Sequence, residues 1–141
     1  MEDYSMVGPA LVLGMGCLGS SIGCGIGGMA CHAVMSRVEE NHAKFIGMSA
    51  VAASQAIYGF VLMILMKNAI LAGTLSPLSG IAIGFSVGLA LIFSSTYQGM
   101  CAASGIQASA KQPAILGKTM VALGIVESFS LFAFVFALLL L

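Results

Sequence analysis

From Tyr4 to Ser36, from Phe45 to Met66 and from Asn68 to Ala110 the chain contains no Asp, Glu, Lys or Arg. Each stretch is longer than the roughly 20 apolar residues that carry an α-helix across the hydrocarbon of a bilayer. The charges are confined to Glu2, Asp3, Arg37, Glu39, Glu40, Lys44, Lys67, Lys111, Lys118 and Glu127. Only 7% of residues are charged and 60% are hydrophobic, whereas roughly a quarter of the residues in a soluble domain are charged. The pattern reads as an integral, all-α membrane protein. The third stretch, 43 residues, is too long for one crossing, and Gly73-Thr-Leu-Ser-Pro77 supplies the turn chemistry that divides it.

Four transmembrane helices follow, at about 6–38, 42–67, 77–110 and 113–141. They form two tandem antiparallel hairpins, 6–67 and 77–141. The acids of Met1-Glu-Asp-Tyr4 stand where a cleavable leader carries bases, so the first helix is expected to stay. Arg37, Lys44, Lys111 and Lys118 flank the first and third loops while Lys67 alone lies towards the second. The positive-inside rule therefore places loops one and three in the cytoplasm and both termini outside. With no basic cluster, nothing points to nucleic acid; the partners are lipid and other helices.

Residues 14–28, GMGCLGSSIGCGIGG, contain the dinucleotide-binding pattern G-x-G-x-x-G twice. That pattern works at a strand-to-helix turn, where a helix N-terminus faces a pyrophosphate; inside a charge-free spanning helix it has no such context. On a 3.6-residue period Gly16, Gly19, Gly23, Gly27 and Ala30 share one stripe, and Gly14, Ser21, Gly25 and Gly28 lie on roughly the opposite side. Small residues four apart allow helix backbones to approach closely in lipid. Gly80, Gly84 and Gly88, followed by Ser95, Gly99 and Ala102, repeat the device in the third helix. Two small-residue sides suit the inner wall of a ring of helices; the alternative is ordinary packing within one four-helix bundle.

A shift of 72 positions lays residues 8–66 over 80–138 without a gap. Gly8, Ala10, Gly16, Gly27, Ala30, Met48, Ala50 and Phe60 then meet identical residues. The copies are parallel repeats, since each makes two crossings. In this register Gln55 stands where the second copy has Glu127.

Glu127 is midway between Pro113 and Leu141, about 20 Å from either helix end and so near the bilayer midplane. A charge there is unfavourable by about 3 kcal/mol on insertion scales, and such residues mark ion or substrate pathways. The alternative is a protonated glutamate acting only as an interhelical hydrogen bond. Gln98 and Glu127 are equally far from the Gln112–Pro113 junction, so in an antiparallel hairpin they face each other at one depth. The repeat register brings Gln55 to that level, with Ser54 beside it and Tyr58 one turn away. Carboxylate, amide and hydroxyl oxygens together suit a hard cation stripped of water, with Tyr58 donating to Glu127. Singly, either glutamine serves equally as interhelical glue.

At these residues the sequence resembles the V-type (vacuolar/archaeal-type) ATPase proteolipids, the duplicated four-helix c or K subunits of a membrane rotor. The motifs are the glycine-rich first helix, the tandem hairpins, ASQAIYGF at 53–60, TYQGMCAASGI at 96–106 and GIVESFSLF at 124–132. The resemblance implies a homo-oligomeric ring that carries Na⁺ or H⁺ past a stator subunit bearing a membrane arginine, coupled to a soluble nucleotide-hydrolysing head. It implies no resident cofactor and no nucleotide site in this chain, which would be the non-catalytic part of the complex. In sodium-type members the ligands correspond to Glu127, Gln98, Ser54, Gln55 and the carbonyl of Val51, supported by Tyr58. The sodium-type motif has Thr at the hydroxyl position and a Pro-Gly step that frees the carbonyl. Here Ser54 and Ala52–Ala53 replace them, and the alanines are expected to leave the second helix unbroken. Arg37, Glu39, Glu40, Lys111 and Gln112 fall where the family meets its central stalk.

Two other functions compete. A small multidrug/proton antiporter also has four helices and a membrane glutamate, but carries the acid on its first helix among aromatic residues. A structural tetraspan protein needs no mid-membrane acid matched by amides. Cys17, Cys24 and Cys31 recur every seven residues but lie about 10 Å apart along the axis, beyond disulfide reach. They and Cys101 read as packing residues, and His32 and His42 as interfacial polar groups.

Overall fold

The computed structural model describes residues 4–141; the acids Glu2 and Asp3, used above against a leader, lie outside them. Four helical spans cross from end to end, and no strand occurs among the described residues. α1 is Val7–Met35; α2, His42–Ala50, continues through a 3₁₀ turn, Val51–Ala53, into α3, Ser54–Leu71. α4 is Pro77–Lys111, and a second 3₁₀ turn, Pro113–Ile115, leads into α5, Leu116–Leu138.

Two of these elements differ from the sequence expectation. The second span runs past Lys67 to Leu71, because a long cationic side chain on an exposed face keeps its head near water without ending the helix. The stop comes at Gly73, whose positive φ of 78° closes a Schellman motif: Thr74 N–H bonds to Ala69 C=O at 3.0 Å and Gly73 N–H to Ile70 C=O at 3.1 Å. More consequentially, the second span is not unbroken. It tightens to 3₁₀ at Val51–Ala53 although neither Pro nor Gly is present there.

The turns follow local chemistry. Ser76 caps α4 by accepting the Ser79 N–H at 3.1 Å, with Pro77 at the first helical position. Asn41 adopts the left-handed conformation in loop one, φ 66°, which Asn tolerates better than most residues. Gln112 is held extended by Pro113.

α1 and α4 run parallel and nearly touch, as the repeat requires. A Cβ on Gly8 would strike the carbonyl of Gly80, one on Gly84 that of Gly8, and one on Gly99 that of Gly23. Gly16, Gly19, Gly23, Gly27 and Ala30 are all buried, as are Gly80, Gly84, Gly88, Ser95, Gly99 and Ala102; Gly16 and Gly27 face the second span, where a Cβ would meet Gln55 and Ser49. The opposite stripe points outward, and a Cβ on Gly14, Gly25 or Gly28 would meet nothing within 4 Å. The apolar interior is divided. One cluster, with Val12, Leu62, Met66, Leu91 and Ala137, lies towards the second loop; the other, with Cys31, Phe45, Met48, Ala102, Ile106 and Leu123, lies towards loops one and three. Between them is a polar layer.

Candidate functional site

The polar layer is assembled from three spans. Glu127 on α5 is partly buried, and different helices engage its two carboxylate oxygens. Tyr58 of α3 donates its hydroxyl to Oε1 at 3.0 Å, and Gln98 of α4 donates Nε2 to Oε2 at 3.3 Å. The Tyr58 ring is stacked on Phe134, centroids 5.7 Å apart, which fixes where its hydroxyl points.

Gln55 and Gln98 are completely buried, so every polar atom on them needs a partner. Gln55 Nε2 donates to Gln98 Oε1 at 2.9 Å and to Ser130 Oγ at 3.2 Å. Gln98 Nε2 also reaches the Leu123 carbonyl at 3.3 Å. Ser54 Oγ lies 3.3 Å from both the Val51 carbonyl and Gln55 Oε1, with one hydrogen to share between them. Among the described residues no buried side-chain nitrogen or oxygen lacks a partner.

Donor arithmetic orients both amides. Ser130 Oγ donates its one hydrogen to the Glu127 main-chain carbonyl at 2.7 Å, so towards Gln55 it can only accept. Gln55 must therefore turn its NH₂ to Ser130, which leaves its Oε1 facing Ser54. Gln98 Oε1 receives the second Gln55 hydrogen, and its own NH₂ is thereby turned to Glu127. The sequence picture aimed both amide oxygens at a cation. The structure aims that of Gln55 towards Ser54 and engages that of Gln98 with its neighbour, because the Gln55 amide reaches it first.

Chemically, the layer holds one carboxyl group, accepting from a phenol and an amide, beside a hydroxyl oxygen, an amide oxygen and a backbone carbonyl. Such a site can take up and release a proton or a small hard cation. Glu127, Gln98, Gln55, Ser54, Val51 and Tyr58 are thus brought together. Sequence reading missed Ser130, which is fully buried. It also missed Ser20 and Ser95, which bond to the backbone of the second span.

Other candidates stay apart. The four cysteines are free thiols, and no group of His, Cys, Asp and Glu fit to hold a metal occurs among the described residues. His42 Nε2 lies 2.6 Å from the Val38 carbonyl, an interaction internal to loop one.

The family model of the ATP synthase C-subunit matches the chain twice, over residues 7–66 and 81–140. The chain is similar to the A-type ATP synthase subunit K of Methanocaldococcus jannaschii, 34% identical over 135 residues, covering 96% of this chain and 60% of that protein. It is also similar to the V-type sodium ATPase subunit K of Enterococcus hirae, 31% identical over 126 residues, covering 87% of this chain and 80% of that protein. The chain thus spans less than two thirds of the length of the first of these relatives.

Proposed function

Because the chain belongs to the ATP synthase C-subunit family, we propose that it is an ion-carrying rotor subunit of a V- or A-type ATPase membrane sector, working as a ring of identical copies. Residues 6–67 and 77–141 are read as its two repeat units, of which only the second has a carboxylate within a spanning helix. The observation that carries the proposal is Glu127, a single acid midway along a spanning helix, held by Tyr58 and Gln98. An acid kept only for interhelical bonding would not need a neutral-oxygen cluster beside it. The multidrug antiporter and tetraspan alternatives are not favoured by the family match.

Charge supplies the mechanism. A bound cation neutralises Glu127, so the loaded site can turn past lipid; the empty, ionised site is confined to water or to a fixed positive charge. An arginine on a stator subunit is the expected source of that charge, because Arg37, in the loop region beyond α1, is far along the chain from the polar layer. Each ion crossing 100 mV corresponds to about 2.3 kcal/mol. One carboxylate per four helices halves the ions carried per helix relative to a ring of single hairpins, which favours pumping against a steep gradient.

We read the ion as Na⁺, held by Glu127, Gln55, Ser54 and the Val51 carbonyl, with Gln98 joining when its oxygen is shared. The oxygen-rich surroundings support this, as does similarity to a relative described as belonging to a sodium ATPase. Dicyclohexylcarbodiimide attacks a protonated carboxyl, and the test uses that selectivity. It should modify Glu127, and sodium should suppress the labelling at fixed pH. Glu127→Gln should abolish transport while the ring still assembles. Labelling indifferent to sodium would make the proton the carried ion; sodium-coupled transport by Glu127→Gln would remove the proposal altogether.

A further inference from the structure

The 3₁₀ turn in the second span has no local cause. Breaks in membrane helices normally occur at Pro or Gly, with neighbouring groups taking up the freed backbone atoms; residues 50–54 are Ala-Val-Ala-Ala-Ser. In a continuous α-helix the Ala56 N–H would pair with the Ala52 carbonyl. Here a serine from a different helix meets each of those groups. Ala56 N–H donates to Ser20 Oγ of α1 at 2.9 Å, and the Ala52 carbonyl accepts from Ser95 Oγ of α4, also at 2.9 Å. Ser95 is fully buried and Ser20 nearly so. Gly23 makes the approach possible, since a Cβ there would lie 2.7 Å from both Ser95 Oγ and Ala52 Cβ.

The turn begins at Val51 and ends immediately before Ser54 and Gln55. We propose that Ser20 and Ser95 are positioning residues: together they hold the second span out of α-helical register, and so present the Val51 carbonyl, the Ser54 hydroxyl and the Gln55 amide to the ion. Sodium affinity is then set partly by two hydroxyls that do not touch sodium. This inference rests on the reading of the Glu127 layer as a sodium site. The pair does in this chain what a Pro-Gly step would do within the helix itself.

Removing both hydroxyls leaves no orphaned backbone group, because Ala52 C=O and Ala56 N–H can pair with each other. Ser20→Ala/Ser95→Ala should therefore fold, with the break regularised and the Val51 carbonyl, which in the turn accepts the Ser54 N–H, re-paired with the Gln55 N–H one residue further on. The experiment compares this double variant with wild type in membranes containing the assembled complex. Two curves are measured for carbodiimide labelling of Glu127: the sodium concentration that half-protects at fixed pH, and the pH dependence without sodium. Loss of outer-shell support typically lowers metal affinity 10- to 100-fold, so the half-protecting concentration should rise on the order of tenfold while the sodium-free pH curve stays in place. An unmoved sodium curve, or both curves moving together, would overturn the proposal. If the double variant does not assemble, Ser95→Ala is read in the same way. A wild type that sodium fails to protect would remove the sodium reading and this inference with it; a protected wild type with an equally protected variant removes the inference alone.

Discussion

Ser130 has one hydrogen and gives it to the Glu127 carbonyl, so the Gln55 amide has only one way round. This polarity lock is where a single residue decides the chemistry. Ser130→Ala leaves a buried N–H of Gln55 without an acceptor, a loss of about 1–3 kcal/mol, and removes the reason for the amide to keep its oxygen towards Ser54. Sodium protection of Glu127 should weaken. Ser128→Ala is the control: Ser128 is half-buried and its hydroxyl bonds back to the carbonyl of Ile125 at 2.7 Å, so its removal should leave the titration where it was. Equal effects of the two substitutions would refute the lock. Glu127 was legible because an ionisable group in an apolar span stands out, and Gln98 because equal distance from Pro113 places it opposite. Ser130 was not. Serines in apolar helices commonly bond back to their own backbone, as Ser49 and Ser104 do here, and nothing local distinguishes the one that also orients a glutamine.

At the level of elements, α1 and α4 have glycine where their backbones meet, and α1 has further glycines on its outward side. Gly23 and Gly25 are two residues apart, yet a Cβ on Gly23 runs into Ser95 and Ala52 whereas one on Gly25 meets nothing within 4 Å in the single chain. Gly23→Ala should destabilise the protein by about 1–3 kcal/mol through overpacking, and should disturb the serine clamp beside it. Gly25→Ala should leave the isolated chain's stability nearly unchanged and act only where a neighbouring copy packs. Thermal unfolding in detergent, followed by circular dichroism on dissociated chains, checks both; equal melting points would contradict the packing described. The four spans and their loops were readable from charge placement and turn residues. The break in the second span was not, because its cause lies on α1 and α4, 36 and 43 residues away in sequence from the groups they hold.

For the whole molecule, the outward stripe of Gly14, Gly25 and Gly28 and the partly buried Glu127 fit a chain that is finished by neighbours and lipid. Its orientation is a matter of charge. Arg37 and Lys44 bracket loop one, and Lys111 and Lys118 bracket the third turn, so these ends should face the cytoplasm. In a background with Cys17, Cys24, Cys31 and Cys101 replaced, Glu39→Cys should react with an impermeant maleimide from the cytoplasmic side only, and Thr74→Cys from the outside only. The reverse pattern would invert the topology. The uneven repeat belongs to this scale as well: with Gln55 where the second hairpin has Glu127, one four-helix unit has one carboxylate within its spans.

By itself the sequence determined what depends on transfer into lipid and on spacing along one helix: the number of spans, their parallel duplication, the place of Glu127 midway along its span and the glutamine opposite it. Such properties follow from each residue's own solvation and from the helical period, and need no knowledge of neighbours. Only the tertiary structure decided which way the amides turn, where the second span breaks and which serines hold it. Those outcomes depend on hydrogen bonds between helices, and a donor has a defined partner only once the helices have packed.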